Sequence, residues 1–336
     1  MKTLKLLFII SCVFLVSSCT SQSKKINGVS FVASSKKITS KHINDVKKVS
    51  ANYVTLMPFA FVKSLSSPNV IYDSKKQWFG ETKEGVKQYA KEFQQSKIKI
   101  MLKPQIWVWN GVYTGTIKMK SEDEWRELEQ SYEDFILVFA KVAEEINAEI
   151  FCIGTELEQF VINRPEYWKK LIKKIRKVYS GKLTYAANWD EFKRVDFWED
   201  LDFIGIDAYF PLSDQKSPTL KDFEKGWQPH KNEIIQVQSK FNKPVLFTEY
   251  GYRSVNFTGK EPWKSDRIEG DINLENQQKA LQALYNQFWK EDWFAGGFVW
   301  KWFHNHKEVG GEDNNRFTPQ NKPAELTIKK MYENSK

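Results

Sequence analysis

From Gly28 to the end of the chain, short β-branched or aromatic runs alternate with stretches of helical period, eight times over. The runs are Gly28 to Val32, Tyr53 to Met57, Ile98 to Lys103, Glu149 to Glu156, Leu183 to Ala187, Phe203 to Asp207, Pro244 to Glu249 and Phe294 to Trp300. They are too short for helices and read as strands, the fourth and seventh so evenly apolar that both faces must be buried. Between them the sequence marks helices near 39–49, 81–96, 121–147, 163–179, 195–200, 219–241, 273–289 and 323–332. Ser121-Glu122-Asp123-Glu124 spells a capping box, and Gly181 stops the helix that Asn163 and Pro165 open. Such alternation implies a parallel sheet with right-handed crossovers. Eight units over about 310 residues predict the α/β class, as a single (β/α)8 TIM barrel across residues 27–336. The rival, an open doubly wound sheet, would carry a glycine-rich phosphate loop, and neither G-x-G-x-x-G nor G-x-x-x-x-G-K occurs.

The segment before residue 27 reads differently. Met1 to Lys5 is short and basic, Leu6 to Val16 is apolar, and Val16-Ser17-Ser18-Cys19 has the layout of a lipoprotein signal. The apolar run is too short to span a bilayer comfortably. The expectation is a signal peptide over 1–18, a lipidated Cys19, a polar tether over 19–26, and an exported bacterial lipoprotein held at the membrane, periplasmic or on the cell surface. Of three cysteines, that leaves Cys152 as a lone thiol inside a buried strand, inert and without a disulfide partner. The net charge of +9 is spread over lysine pairs on helix faces of mixed sign, which reads as solvated surface. No focused basic patch or reading module points to nucleic acid. A monomer is expected.

Two of the buried runs end in glutamate: Ile153-Gly154-Thr155-Glu156 and Phe247-Thr248-Glu249. Packing explains an acid there poorly. In a parallel barrel, strand ends open onto the C-terminal mouth where chemistry is done. Two facing acids are what glycoside hydrolysis needs, one to protonate the leaving oxygen and one to attack or to activate water. Glu158, two residues beyond Glu156, competes for the first role if the strand runs longer. The other residues delivered to the mouth are Gln105, Trp107, Trp109, Asn188, Trp189, Asp207, Tyr209, Tyr252, Trp300 and Trp302. Sugar rings have apolar C–H faces that stack on aromatic planes and hydroxyls that need fixed donors and acceptors, so this mixture suits a carbohydrate cleft. Of Trp107, Trp109, Trp300 and Trp302, two are expected in the cleft and the others in the core. Trp125, Trp168, Trp198, Trp289 and Trp293 lie in or beside helices and read as core. His304-Asn305-His306 lacks a third ligand of clear spacing and reads as a loop pair rather than a metal site.

The motifs Ile153-Gly154-Thr155-Glu156, Asp207-Ala208-Tyr209, Phe247-Thr248-Glu249-Tyr250-Gly251 and Phe298-Val299-Trp300-Lys301-Trp302 resemble those of clan A glycoside hydrolases. They look most like glycoside hydrolase family 113, the β-mannanase-like barrels, and the resemblance covers about residues 27–334. It implies a retaining mechanism on β-1,4-mannan or manno-oligosaccharides, with Glu156 as acid/base and Glu249 as nucleophile, about 5–5.5 Å apart. No cofactor or metal is called for. Glu156 would need a raised pKa to hold its proton, and Tyr209 is placed to help keep Glu249 charged. Many clan A enzymes have Asn before the acid/base, against the sugar 2-hydroxyl; Thr155 stands here, which leaves that contact to Asn188 or Gln105. Two other readings share these motifs: a retaining hydrolase of another β-glycan such as glucan or xylan, and a catalytically silent glycan-binding barrel.

Overall fold

The computed structural model describes residues 24–336 apart from Asn110, Arg267 and Lys336. The expected signal peptide and Cys19 lie outside the described residues. The strands are β1 (Ile26–Phe31), β2 (Tyr53–Leu56), β3 (Phe59–Val62), β4 (Lys99–Leu102), β5 (Gln105–Val108), β6 (Ile150–Thr155), β7 (Lys182–Asn188), β8 (Ile204–Asp207), β9 (Val245–Tyr250) and β10 (Phe294–Trp302). Eight of them close a parallel barrel in the order β1-β10-β9-β8-β7-β6-β4-β2, so the chain folds as a single (β/α)8 TIM barrel. Packed outside are α1 (Ser40–Lys48), α2 (Lys83–Gln95), α3 (Glu122–Glu145), α4 (Glu158–Asn163), α5 (Pro165–Ile175), α6 (Leu220–Phe241), α7 (Leu274–Phe288) and α8 (Pro323–Asn334).

The barrel strands bury both faces, as β1 and β9 do along their whole length. Their outward side chains and the inner faces of the helices make the main core, in which Trp168, Trp198 and Trp227 are fully buried. Inside the barrel floor, Ile26, Met101, Ile150, Phe203, Leu246 and Phe298 form a separate plug. Gly28 makes room for it, since a Cβ there would lie 2.2 Å from the Phe298 ring. The fold begins slightly before residue 27. Lys25 is buried and its ammonium donates to the carbonyls of Glu291 (2.6 Å) and Phe294 (2.5 Å).

Three elements depart from the sequence reading. After β7 no α-helix forms; single 3-10 turns at Phe192–Arg194 and Trp198–Asp200 take its place. The short α4 starts at Glu158 directly after β6. Finally, the extended chain does not stop where β2 and β4 end. Each is interrupted by a proline, Pro58 or Pro104, which supplies no N–H to the ladder, and then resumes as β3 or β5. These two pair in parallel as a ribbon above the barrel, Phe59 opposite Gln105 and Phe61 opposite Trp107.

Candidate active site

Four side chains from three strand ends, β4 on one side of the barrel and the adjacent β8 and β9, meet at the mouth. Lys103 follows β4, Asp207 ends β8, Glu249 lies near the end of β9, and Tyr209 follows β8. The Lys103 ammonium is wholly buried and donates to Glu249 Oε1 at 2.7 Å and to both oxygens of Asp207 at 3.0 Å. Burial alone would lower its pKa, but the charges of Asp207 and Glu249 outweigh that and hold it above the ordinary lysine value. Gln105 Nε2 donates to Glu249 Oε1 at 3.0 Å, and the Tyr209 hydroxyl donates to Glu249 Oε2 at 2.9 Å. Glu249 is only 7 % exposed, and both oxygens of its carboxylate are thereby fixed.

Glu156 occupies a different environment. It is the first residue past β6, held at φ +50° with its N–H on the Ala186 carbonyl at 2.8 Å. Its carbonyl accepts from Thr114 Oγ1 at 3.1 Å. The side chain is half-buried by accessible surface, yet densely surrounded by protein, and its carboxyl accepts no hydrogen bond among the described residues. Desolvation first, then the negative charges of Asp207 and Glu249, push its pKa well above the usual carboxyl range. Glu158, the rival, instead starts α4 and pairs with Arg194 at the surface. One carboxylate is thus held by three donors, while a second carboxyl, within range of its charge and without a donor among the described residues, favours its proton, a division of labour suited to acid-assisted cleavage of an acetal.

Other expected residues fall into three groups. Gln105 and Tyr209 bind Glu249 directly, so they orient a carboxylate in addition to any contact with substrate. Trp107, Trp109, Trp189 and Trp300 reach the surface or half reach it. Trp189 stacks on Trp263 at 5.3 Å, and Asn188 donates to the Tyr113 hydroxyl at 2.9 Å while accepting from the Trp189 N–H. Asp207, Tyr252 and Trp302 are corrections. Asp207 is buried with its oxygens taken by Lys103 and by Thr248 Oγ1 (2.7 Å), so it acts on Glu249 through the lysine. Burial, followed by the Glu249 charge, pushes its pKa up to about 7. Tyr252 and Trp302 are fully buried; β10 runs two residues beyond its expected end and carries Trp302 into the core.

The sequence reading missed Lys103 as a site residue, and with it Tyr113 and Glu191. Glu191 is buried beneath the Asn188 loop, accepting from the Tyr185 hydroxyl (2.6 Å) and the Asn188 N–H (2.9 Å), and desolvation pushes its pKa up to about 8. Its signal was an acid three residues after Asn188, indistinguishable in sequence from a surface turn. Cys152 is buried, its thiol pushed up to about 11 by desolvation. His306 pairs with Glu325 at 2.7 Å and His304 lies against His42. Among the described residues no three potential ligands stand close enough to hold a metal. A hollow of about 560 Å³ within the loop 253–271 includes none of the mouth acids.

Comparison with known proteins places this geometry. In solved structures, a family 113 β-1,4-mannanase is 24 % identical with a TM-score of 0.80, over 92 % of this chain and 99 % of that one. The family 113 β-mannanase AaManA from Alicyclobacillus acidocaldarius, in complex with ManMIm, is 22 % identical with a TM-score of 0.82, over 93 % and 98 %. A β-glucuronidase from Ruminococcus gnavus shares the barrel more distantly, at 15 % identity and a TM-score of 0.61, over 92 % of this chain and 50 % of that one. A comparison with curated proteins gives no match. The sequence profile of Glycoside Hydrolase Family 113 matches residues 32–322. A match across that span, on a barrel whose mouth holds this pair of acids, identifies the chain as a glycoside hydrolase that belongs to family 113.

Proposed function

We propose that this enzyme cleaves β-1,4-mannan or manno-oligosaccharides with retention of anomeric configuration, Glu249 acting as nucleophile and Glu156 as acid/base. The observation that carries the reading is the contrast between the two carboxyls: Glu249 held by Lys103, Gln105 and Tyr209, Glu156 raised in pKa and with no donor to its carboxyl among the described residues. In the first step the Glu249 carboxylate attacks the anomeric carbon as the glycosidic C–O bond breaks, and Glu156 gives its proton to the leaving oxygen. In the second, the Glu156 carboxylate takes a proton from water, the water oxygen attacks the same carbon, and the ester bond to Glu249 breaks. Both acids end as they began. The names of the family 113 structures support mannan as the substrate class.

The test is hydrolysis of β-mannan, glucan and xylan by wild type, Glu156→Ala and Glu249→Ala, with the anomer of the first product read by proton NMR. The expected result is turnover on mannan, a β-anomer released first, and a loss of about 10²–10⁴-fold for Glu156→Ala, with at least as large a loss for Glu249→Ala. Because Glu156 must carry its proton, the wild-type rate should fall as pH rises through its raised pKa. An α-anomer, wild-type turnover in either variant, or preference for another glycan would overturn the corresponding part.

A further inference from the structure

Of the two proposed catalytic acids, Glu156 alone has its backbone in the left-handed region, at φ +50°. A residue with a Cβ enters that region at an energetic cost and stays there only where its surroundings hold it. Three contacts do so. The Glu156 N–H donates to the Ala186 carbonyl at 2.8 Å, and the Glu156 carbonyl accepts from Thr114 Oγ1 at 3.1 Å, from the turn that follows β5. The next N–H, that of Leu157, donates to the Tyr185 hydroxyl at 2.7 Å. That hydroxyl is itself anchored, with Glu191 Oε1 2.6 Å away and Glu191 Oε2 on the Asn188 N–H at 2.9 Å. Asn188 closes the circuit: its Oδ1 accepts from the Trp189 N–H, and its Nδ2 donates to the hydroxyl of Tyr113, the residue before Thr114. The loop after β5, the end of β6 and the loop after β7 are thus tied to one another around Glu156. A turn that only launched α4 would suit glycine or asparagine at this position. Tyr185 and Glu191 are also fully buried, the tyrosine ring lying among Trp168, Phe197 and Trp198. Polar groups in such a place are costly unless their bonds are made, and here those bonds converge on the residue after Glu156.

We propose that Thr114 and the Tyr185–Glu191 pair are positioning residues for the acid/base, clasping the Glu156 backbone in the one conformation that aims its carboxyl at the leaving oxygen. The direction of a Cα–Cβ bond follows from the backbone angles on either side, so a return of Glu156 to an ordinary φ would swing its side chain away. Tyr185 and Glu191 act from within the core, through the Leu157 N–H, and Thr114 acts through the Glu156 carbonyl. The inference rests on the roles given above to Glu156 and Glu249, and adds what keeps the first of them in place.

The test separates substrates by their need for a proton, in wild type, Thr114→Val, Thr114→Ser and Tyr185→Phe. Mannohexaose parts only when its glycosidic oxygen is protonated, whereas the dinitrophenolate of dinitrophenyl β-mannobioside leaves without a proton. The expected result is a kcat on mannohexaose about 10–100-fold lower in Thr114→Val and Tyr185→Phe, with KM little changed and Thr114→Ser close to wild type. The initial burst of dinitrophenolate should be as fast as in wild type. Azide, which attacks the glycosyl-enzyme without having to give up a proton, should restore the later turnover. Equal losses in the burst and on mannohexaose, or no loss, overturn the proposal; Thr114→Val carries the test if Tyr185→Phe does not fold. A wild type inert on both sugars removes the hydrolytic reading, and the clasp is then judged by the carboxyl titration of Glu156, followed by carbon NMR in wild type and Thr114→Val. That substitution changes no ionisable group. The titration should move toward the usual carboxyl range as the side chain leaves its desolvated place among Asp207, Glu249, Lys103 and Glu191. An identical titration in the two proteins overturns the clasp.

Discussion

A single ammonium, that of Lys103, stands between two buried carboxylates, and removing it exposes what each contributes. Lys103→Met leaves Asp207 and Glu249 facing one another without a counter-charge. Breaking a buried pair on one side typically costs about 3–5 kcal/mol, so urea unfolding at pH 7.5 should show a loss of that order, together with reduced kcat. Asp207 is pushed up to about 7 even with the lysine present. Without it, Asp207 gains a proton more readily, so the stability gap to wild type should narrow as pH falls to 5. A gap that does not change with pH would mean that the lysine acts by packing alone. Glu156 and Glu249 were legible in the sequence because a charge at the end of a buried run has no packing explanation. Lys103 ends its run in the same way, but a lysine has a long stem that can carry its charge to water, so sequence does not separate a buried ammonium from a surface one. Tyr252 and Trp302 were read as mouth residues on strand position, whereas exposure there is set by loops and by where the last strand stops.

Among the elements, α3 was anticipated from its cap, and half of that cap formed. Ser121 Oγ accepts from the Glu124 N–H at 3.2 Å, whereas the Glu124 carboxylate turns to the Lys120 N–H at 2.7 Å. Ser121→Ala should therefore cost about 1 kcal/mol by chemical denaturation and leave kcat/KM unchanged; a change in activity would tie this distant helix end to the mouth. The β3–β5 ribbon escaped the sequence reading for a definite reason. Pro58 and Pro104 follow Met57 and Lys103 at the points where strands were expected to stop, and a proline after an apolar run ordinarily ends a strand. Here the chain bends, and Gln105 N–H pairs with the Pro58 carbonyl at 2.9 Å to restart the ladder. The missing helix after β7 has the opposite cause. Phe192, Phe197 and Trp198 are all buried, and large aromatics in two short turns cover the strand that a full helix would otherwise cover.

At the scale of the molecule, barrel closure was legible because eight alternations leave few parallel topologies, while the electrostatic state of the interior was not. Glu191, pushed up to about 8, and Asp207, up to about 7, keep protons in the fold that the unfolded chain sheds near pH 4. Between those values the folded form holds more protons on these two groups than the unfolded one, so each lowers stability as pH rises through its window, whereas Lys322, lowered to about 7 by burial, raises it above pH 7. Thermal melting should therefore show a decline from pH 5 to 7. Glu191→Gln, which removes one titration under the Tyr185 and Asn188 donors, should make it shallower; an unchanged slope would place the titration elsewhere.

All eight barrel strands run the same way, and Ile26 enters level with Gly296, which pairs with Leu246, several residues below Glu249 on the same sheet. Lys25 and Ile26 therefore stand at the rear of the cylinder, beside the plug that fills its floor, and the far end alone lies open to incoming polymer.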